Sequence, residues 1–185
     1  DGTDDYITLS SAANFRPTDA ELNSAGLTFL VWFKTNDNTA TQGLFCTDGV
    51  NQGTYYGLEG FWNGSTSKFI MTKMDGTGAG SGDRSTALTT AVTVNNDQWY
   101  NVAFNYVNSN KSNFVIYING VAQTMDTPTG TGGNVGYSSS AKAAIGAMRT
   151  FDLNGNIANV QVYNRTLSAS EILHNYNALK GRFGL

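Results

Sequence analysis

The sequence predicts an all-β protein built from two antiparallel sheets packed as a sandwich, with one short C-terminal helix. Two observations lead to this prediction. Many short runs of alternating apolar and polar residues follow one another, separated by turns rich in Gly, Asn and Thr. A single strong helix signal lies near the C-terminus, where Ser168 and Glu171 form the S-x-x-E pattern of a capping box. We expect the helix over residues 169–180, with Leu167 and Ile172 placed for a hydrophobic staple.

The strands are predicted from alternation and from the turn residues between them. In chain order, the predicted strands are residues 6–9, 27–34, 43–47, 55–62, 68–74, 91–94, 99–106, 114–118, 121–125, 142–145 and 157–163. Asn119-Gly120 lies between two of these runs and predicts a two-residue type I′ hairpin, because both turn positions require positive φ. Asn63-Gly64 and Asp75-Gly76 give further turn signals of this kind, and the alternative for Asp75-Gly76 is the start of a long loop.

Two strands carry information about which faces are covered. The second strand has apolar residues on both faces, so we expect it to be covered on both sides: Phe29, Val31 and Phe33 on one face, and Leu30 and Trp32 on the other. In the fourth strand, alternation separates Tyr56, Leu58, Gly60 and Trp62 from Tyr55, Gly57, Glu59 and Phe61.

Size and composition exclude several classes of function. We expect one domain over residues 1–185, which forms part of a longer polypeptide. Charged residues make up 14%, the net charge is −3 and no Lys/Arg cluster occurs, which argues against binding of nucleic acid. No apolar run is long enough for membrane insertion. The single cysteine, Cys46, cannot form an intrachain disulfide and is expected to be a buried apolar residue.

Several segments resemble laminin G-like domains, the concanavalin A-like jelly rolls. They occur in the order of the family, and they are DGTDDYI at residues 1–7, LTFLVWFKT at 27–35, DQWYNVA at 97–103, FVIYING at 114–120, AIGA at 144–147 and the closing strand and helix at 151–172. The resemblance implies a two-sheet jelly roll. The tail at residues 175–185 also resembles tails of bacteriophage structural proteins. The charged fraction of 14%, with Asn, Thr, Ser and Gly filling the difference, is typical of a protein on the extracellular or virion surface.

Catalytic patterns are missing from the sequence. Endoglucanases with this jelly roll place two glutamates and an aspartate on one strand, since a glycosidase needs two nearby carboxylates. The three glutamates here, Glu21, Glu59 and Glu171, are isolated, and Glu59 is expected to face solvent. His174 is the only histidine, which excludes a His-rich zinc site and favours a surface residue beside Glu171. We therefore expect no enzymatic activity.

Calcium is a possible structural cofactor. Asp1, Asp4 and Asp5 supply hard oxygen ligands in one short segment, and the loop at residues 152–156 adds more. The resemblance implies the same, since laminin G-like relatives often hold calcium with carboxylates and loop carbonyls. Asp4 and Asp5 are the predicted metal ligands. The alternative is that these are acidic turn residues facing water.

Carbohydrate recognition needs aromatic rings beside amide, carboxylate or guanidinium groups. The predicted ligand-binding residues are Tyr55, Tyr56, Trp62, Asn63, Tyr137 and Arg149. Trp62 precedes a hairpin turn and is predicted to stand at the exposed rim of the sandwich. The alternative is that alternate residues of this strand are simply core.

Two functions follow from these features. The first is a non-catalytic binding module that recognises surface carbohydrate, in a phage virion or a secreted protein. The second is a structural or decoration domain of a phage particle without a specific glycan ligand. The partners are accordingly cell-surface glycans or other virion proteins.

Overall fold

Two antiparallel sheets face each other across the main hydrophobic core. The structure, a computed structural model, describes residues 5–9, 16–48, 56–77, 84–138 and 142–185. The larger sheet has six strands in the order β1-β10-β3-β4-β5-β6, and the smaller has five in the order β13-β2-β7-β8-β9. Strands β11 and β12 form a separate two-stranded hairpin. The predicted all-β jelly-roll sandwich is confirmed.

The bounds of the elements are as follows. The strands are β1 (Ile7–Leu9), β2 (Leu27–Thr35), β3 (Thr41–Cys46), β4 (Tyr56–Asn63), β5 (Lys68–Asp75), β6 (Arg84–Leu88), β7 (Trp99–Tyr106), β8 (Val115–Ile118), β9 (Val121–Ala122), β10 (Ala143–Ile145), β11 (Ala147–Met148), β12 (Phe151–Asp152) and β13 (Gly155–Tyr163). The helices are α1 (Asp19–Ser24) and α2 (Ala169–Leu179), and a short 3₁₀ helix follows at Lys180–Phe183.

One predicted strand is wrong. Residues 91–94 form an extended segment outside both sheets, and the edge strand of the larger sheet is β6, Arg84–Leu88. Val92 and Val94 gave the strand signal because they pack against the core, Val94 being buried. β6 gave a weak signal because the residues on its buried face are small, Ser85 and Ala87.

The main core is built from the inner faces of β2, β7, β3, β4 and β5. Phe29 stacks on Phe45 with ring centroids 3.9 Å apart, and Phe104 meets Phe45 edge-on at 5.5 Å. Each fully buried side chain of this size contributes roughly 1.5–3 kcal/mol through removal of apolar surface from water. The two-residue turn Asn119-Gly120 joins β8 to β9 with φ of 50° and 80°, which confirms the predicted type I′ hairpin.

The outer face of the five-stranded sheet is covered by the C-terminal helix. Trp32 stacks on Phe183 at 4.2 Å and on Tyr176 at 5.7 Å, while Leu30 packs with Ile172 in a separate apolar cluster. The prediction that β2 is covered on both sides is therefore confirmed. The C-terminal helix therefore closes this face of the five-stranded sheet.

Both helices begin at a capping box. At α2 the Ser168 side chain accepts from the Glu171 amide and the Glu171 carboxylate accepts from the Ser168 amide, as predicted. At α1 the same exchange joins Thr18 and Glu21. This six-residue helix was not predicted, although the T-x-x-E pattern stands in the sequence.

Two further predictions are that Cys46 is buried and that no segment is long and apolar enough to span a membrane. Cys46 is buried, as expected. No helix in the described part of the chain is both long and apolar enough to cross a bilayer.

Candidate functional site

The outer face of the six-stranded sheet carries the candidate site. Glu59 and Phe61 of β4 point to this face, since Leu58 and Trp62 on the alternate positions belong to the main core. In the register of the sheet, Thr72 of β5 lies opposite Glu59. Ile70 lies opposite Phe61 on the same strand pair.

The hairpin of β11 and β12 lies on this face and carries Arg149 in its turn. The hairpin backbone rests directly on β3 at Gly43, where an added Cβ would come within 2.2 Å of the Met148 amide nitrogen. Arg149 sits in the turn of the hairpin with φ of 51°, a left-handed conformation that is uncommon for a residue other than glycine. The hairpin therefore fixes the direction in which the Arg149 side chain leaves the turn.

Arg149 forms an ion pair with Glu59. Its Nε lies 3.2 Å from Oε1 of Glu59, and the two side chains are 13% and 1% exposed. Thr72 donates its hydroxyl to the other carboxylate oxygen at 3.4 Å. The prediction that Glu59 faces solvent is wrong, because the hairpin brings a guanidinium over a position that looks isolated along the sequence.

Burial controls the protonation of Glu59. Desolvation raises the pKa of the Glu59 carboxyl to about 7, and Arg149, Thr72 and Arg84 oppose this rise. The loss of hydration thus outweighs the attraction of the guanidinium, as is common for buried ion pairs. Glu59 consequently titrates near neutrality while holding Arg149 in place.

Two aromatic rings flank the Arg149 guanidinium. Its Cζ lies 5.8 Å from the centroid of the Phe61 ring and 5.9 Å from that of Phe151. Phe61 is buried, whereas Phe151 is 38% exposed. The partly exposed Phe151 ring thus lies beside the Arg149 guanidinium, and the buried Glu59 carboxylate holds that guanidinium in place.

Trp62 does not belong to this face. It is 1% exposed, packs on Phe69 at 4.9 Å between ring centroids and donates its indole N–H to the Asn38 carbonyl at 2.9 Å. The prediction of an exposed rim position is wrong, because alternation along β4 directs Trp62 into the main core. The following turn is also longer than two residues, spanning residues 64–67.

Tyr137 lies in a different place, at one end of the sandwich. Its hydroxyl donates to the Pro17 carbonyl at 2.8 Å, and the Arg16 guanidinium lies 5.5 Å above its ring. Arg16 also pairs with buried Asp48 at 3.3 Å. Burial raises the pKa of Tyr137 and that of Asp48. The structure does not bring Tyr137 together with Arg149 in any hydrogen bond or ring contact among the residues described.

The other predicted ligand residues are dispersed. Tyr56 is half-buried with its ring against Gly76, where an added Cβ would come within 2.4 Å of it. The Asn63 side chain is used within its own turn, accepting from the Ser65 hydroxyl at 2.8 Å and the Thr66 amide at 3.3 Å. Tyr55 lies outside the described residues.

The predicted calcium ligands receive only partial description. Asp5 is exposed, and Asp4 lies outside the described residues. Within the described ranges, no three side chains of His, Cys, Asp or Glu come together as a potential metal group. Calcium binding stays a prediction from the sequence.

The chemistry available at Glu59 is that of one carboxylate. Of the described side chains, those in hydrogen-bond or ion-pair contact with it are Thr72 and Arg149. Hydrolysis of a glycosidic bond requires a second carboxyl group about 5–9 Å from the first to act as nucleophile or base. The arrangement supports binding through ring and guanidinium contacts.

The fold and this face together define a jelly-roll sandwich domain with one closed and one partly open sheet face. The chain belongs to the concanavalin A-like lectin/glucanases superfamily, whose family model matches residues 1–173. No curated protein matches the chain. The similarity of the C-terminal tail to phage structural proteins stays a prediction.

Solved structures with the same fold include carbohydrate-binding modules. The CBM40 module of the Ruminococcus gnavus IT-sialidase bound to α2,3-sialyllactose is 16% identical, with a TM-score of 0.58 over 81% of each chain. The same module bound to α2,6-sialyllactose is 17% identical, with a TM-score of 0.56 over 80% of this chain and 81% of that one. A Trypanosoma rangeli sialidase is 15% identical, with a TM-score of 0.51 over 83% of this chain and 23% of the sialidase.

The sequence-predicted ligand residues do not include Phe151 as a candidate platform or Glu59 as the support of Arg149. Phe151 follows Arg149 by two residues, at the start of β12, and this closeness along the sequence is the one signal that points to it. For Glu59 the sequence held no comparable signal, because its partner lies in a hairpin remote along the chain.

Proposed function

We propose that the chain is a non-catalytic module that binds carbohydrate on the outer face of the six-stranded sheet. The observation that carries the proposal is the Phe151 ring, 38% exposed, with the Arg149 guanidinium 5.9 Å from its centroid. Arg149 is in turn fixed by the buried carboxylate of Glu59.

This pairing suits a sugar ring. An exposed aromatic ring offers a flat apolar surface to the C–H face of a pyranose, and a guanidinium donates directional hydrogen bonds to hydroxyl or carboxylate oxygens. The ion pair with Glu59 reduces the conformational entropy that Arg149 would lose on binding, and such preorganisation raises affinity.

The comparisons support this choice of ligand class. The Ruminococcus gnavus modules named above are described as bound to sialyllactose, which makes α2,3- and α2,6-sialyllactose the first compounds to test. The isolation of Glu59 among the described side chains supports a binding role without hydrolysis.

The test is a glycan array probed with the wild-type chain, containing neutral oligosaccharides and both sialyllactoses. We expect binding to a defined set of glycans, together with no release of reducing ends from any of them. Absence of binding to every glycan would contradict the proposal. It would favour the second function, a structural or decoration domain.

The location is proposed on sequence grounds. The low charged fraction of 14% and the resemblance of the C-terminal tail support a place in a virion or a secreted protein. A decoration role in a phage particle is supported by that tail and by the lack of Lys/Arg clusters in the sequence.

Calcium is proposed as a structural ion at Asp4 and Asp5. The support is the run of aspartates at residues 1–5 and the preference of calcium for carboxylate and carbonyl oxygens. A native-state ligand at about 100 times its dissociation constant stabilises a protein by roughly 2.7 kcal/mol. A melting temperature that does not change when EDTA is added to a calcium-saturated sample would contradict the site.

A further inference from the structure

Two arginines act on the one buried carboxylate of the candidate site. Arg149 reaches the outer face of the six-stranded sheet from the hairpin turn. Arg84 lies on β6, and alternation puts its side chain on the same face as those of Thr86 and Thr72. Both guanidinium groups favour the ionised form of Glu59. When Glu59 is protonated, the positive charge of this face is therefore less compensated.

The ionised form of Glu59 is poorly supported by its surroundings. The residue is fully buried, and the Thr72 hydroxyl lies 3.4 Å from its Oε2, which is long for a hydrogen bond to a carboxylate. Oε1 lies 3.2 Å from Arg149 Nε, yet it makes no well-formed hydrogen bond to any residue that the structure describes. A buried carboxylate that stays ionised usually accepts two or three good hydrogen bonds. Glu59 therefore gains a proton without losing a strong partner.

Other titratable or charged groups approach Glu59 from the elements packed around it, besides the two arginines. Cys46 lies opposite Glu59 on β3, and Tyr106 of β7 donates its hydroxyl to the Glu59 carbonyl at 2.6 Å. Burial raises the pKa of Tyr106 well above its ordinary value. The hairpin also carries Asp152, on β12. Burial raises the pKa of Glu59 to about 7, so this carboxyl changes its charge between mildly acidic and mildly alkaline solution.

Arg149 presents one charge to Glu59 and to a ligand at the same time. A guanidinium has five N–H donors in one plane, and its contact with Glu59 is made through Nε. An anion that binds beside the partly exposed Phe151 ring meets the same guanidinium. Two carboxylates at one guanidinium repel each other, so ionised Glu59 disfavours an anionic ligand and neutral Glu59 does not. The hairpin turn and the Phe61 ring still hold Arg149 when Glu59 is neutral.

We propose that this site binds an acidic sugar together with one proton on Glu59, so that acidic glycans bind more tightly in mildly acidic than in mildly alkaline solution. This inference rests on the proposed carbohydrate-binding function, to which it adds control of the same site by pH. Linkage requires the converse as well, because an anionic ligand at Arg149 must raise the affinity of Glu59 for its proton by the same factor. A neutral sugar carries no charge for Glu59 to repel and should bind equally at both pH values.

The first experiment titrates α2,3-sialyllactose, and lactose as the uncharged comparison, into the wild-type chain by calorimetry. The titrations are made at about pH 5.5 and about pH 8.5, on either side of the Glu59 pKa, and the sialyllactose carboxylate stays ionised at both. We expect about tenfold higher affinity for sialyllactose at the lower pH, a coupling of ordinary size. Equal sialyllactose affinity at the two pH values, or the same pH dependence for lactose, would overturn the inference.

Two variants assign the pH dependence to its group. Glu59→Gln cannot ionise, so its affinity for sialyllactose should be the same at both pH values. Histidine is the residue type that commonly changes charge in this range, so His174→Gln, on α2, is the matched control and should keep the wild-type difference. A pH dependence that persists in Glu59→Gln, or that disappears in His174→Gln alone, would show that another group binds the proton.

A second measurement on the wild type does not depend on the folding of any variant. Calorimetry at about pH 7.5 in two buffers with different ionisation enthalpies gives the number of protons taken up when the ligand binds. A tenfold coupling moves the Glu59 pKa from about 7 to about 8, so we expect uptake of about half a proton with sialyllactose and none with lactose. Binding of sialyllactose without proton uptake would contradict the coupling.

Failure of this inference differs from failure of the proposed function. A chain that binds neutral glycans on the array, but binds sialyllactose at neither pH, would keep the carbohydrate function and overturn the proton coupling. A chain that binds no glycan at either pH would overturn both.

Discussion

Arg149 Nε lies 3.2 Å from Glu59 Oε1, and this contact joins the turn of a hairpin to the middle of a buried strand. The hairpin crosses the sheet where Gly43 leaves room for its backbone. The pair thereby connects the fold to the site, because it fixes the only charged planar group that contacts the half-exposed ring of Phe151 among the described residues.

The protonation of Glu59 should make stability depend on pH. Its folded pKa of about 7 lies above the ordinary value of 4.5, so the folded state binds this proton more tightly than the unfolded state. The resulting stabilisation is fully present below pH 4.5 and is lost as the pH rises through 7. The difference in pKa corresponds to about 3 kcal/mol.

The measurement compares denaturant unfolding of the wild type with Glu59→Gln from pH 4 to pH 8, a range that brackets both pKa values. The variant keeps hydrogen bonding but cannot ionise, and the cost of leaving Arg149 without its partner does not change with pH. We expect the wild type to lose stability relative to the variant as the pH rises. A difference that stays constant with pH would show that the Glu59 pKa is not raised.

Trp62→Ala should destabilise the chain strongly. Removal of a buried tryptophan leaves a cavity in the main core, and such substitutions cost about 3–5 kcal/mol. Trp62→Phe retains a ring against Phe69 and should cost less. Thermal or urea unfolding provides the measurement, and a Trp62→Ala chain as stable as the wild type would mean that the ring is exposed after all.

Ser168→Ala should cost about 1 kcal/mol by removing the N-cap of α2. The control is Asn177→Ala, at an exposed position of the same helix remote from the cap, where alanine is the better helix former and stability should be unchanged or slightly higher. Equal effects of the two substitutions on urea unfolding would argue that the cap at Ser168 does not stabilise the helix.

Much of the fold could be predicted because its signals are local. The strand at residues 99–106 was predicted with the bounds it has, and Asn119-Gly120 and Ser168 marked their turn and helix start through chemistry that acts over a few residues. The helix α1 is not predicted, because it has only six residues and only Leu22 among them is buried. The strand β6 is not predicted either, because its buried face offers only small side chains.

The site could be predicted only in part. Arg149 was named, and the structure places it on the outer face of the six-stranded sheet beside two rings. The position of Trp62 before a turn predicts a place at the rim. The structure buries it instead, because alternate residues of β4 face the core and Trp62 is one of them. The burial of Glu59 depends on a hairpin remote along the chain, which no local pattern reveals.

The most direct test of carbohydrate binding at this face is a calorimetric titration of the best glycan from the array into wild type, Phe151→Ala and Leu173→Ala. Leu173 is 42% exposed, close to the 38% of Phe151, so the two side chains are matched in exposure. Leu173 lies on α2, which covers the five-stranded sheet, and so it is remote from the proposed site. We predict that Phe151→Ala weakens affinity by about tenfold or more, a change of about 1.4 kcal/mol, with an unchanged melting temperature. Leu173→Ala should bind as the wild type does. A folded Phe151→Ala chain that binds the glycan with wild-type affinity would contradict the account.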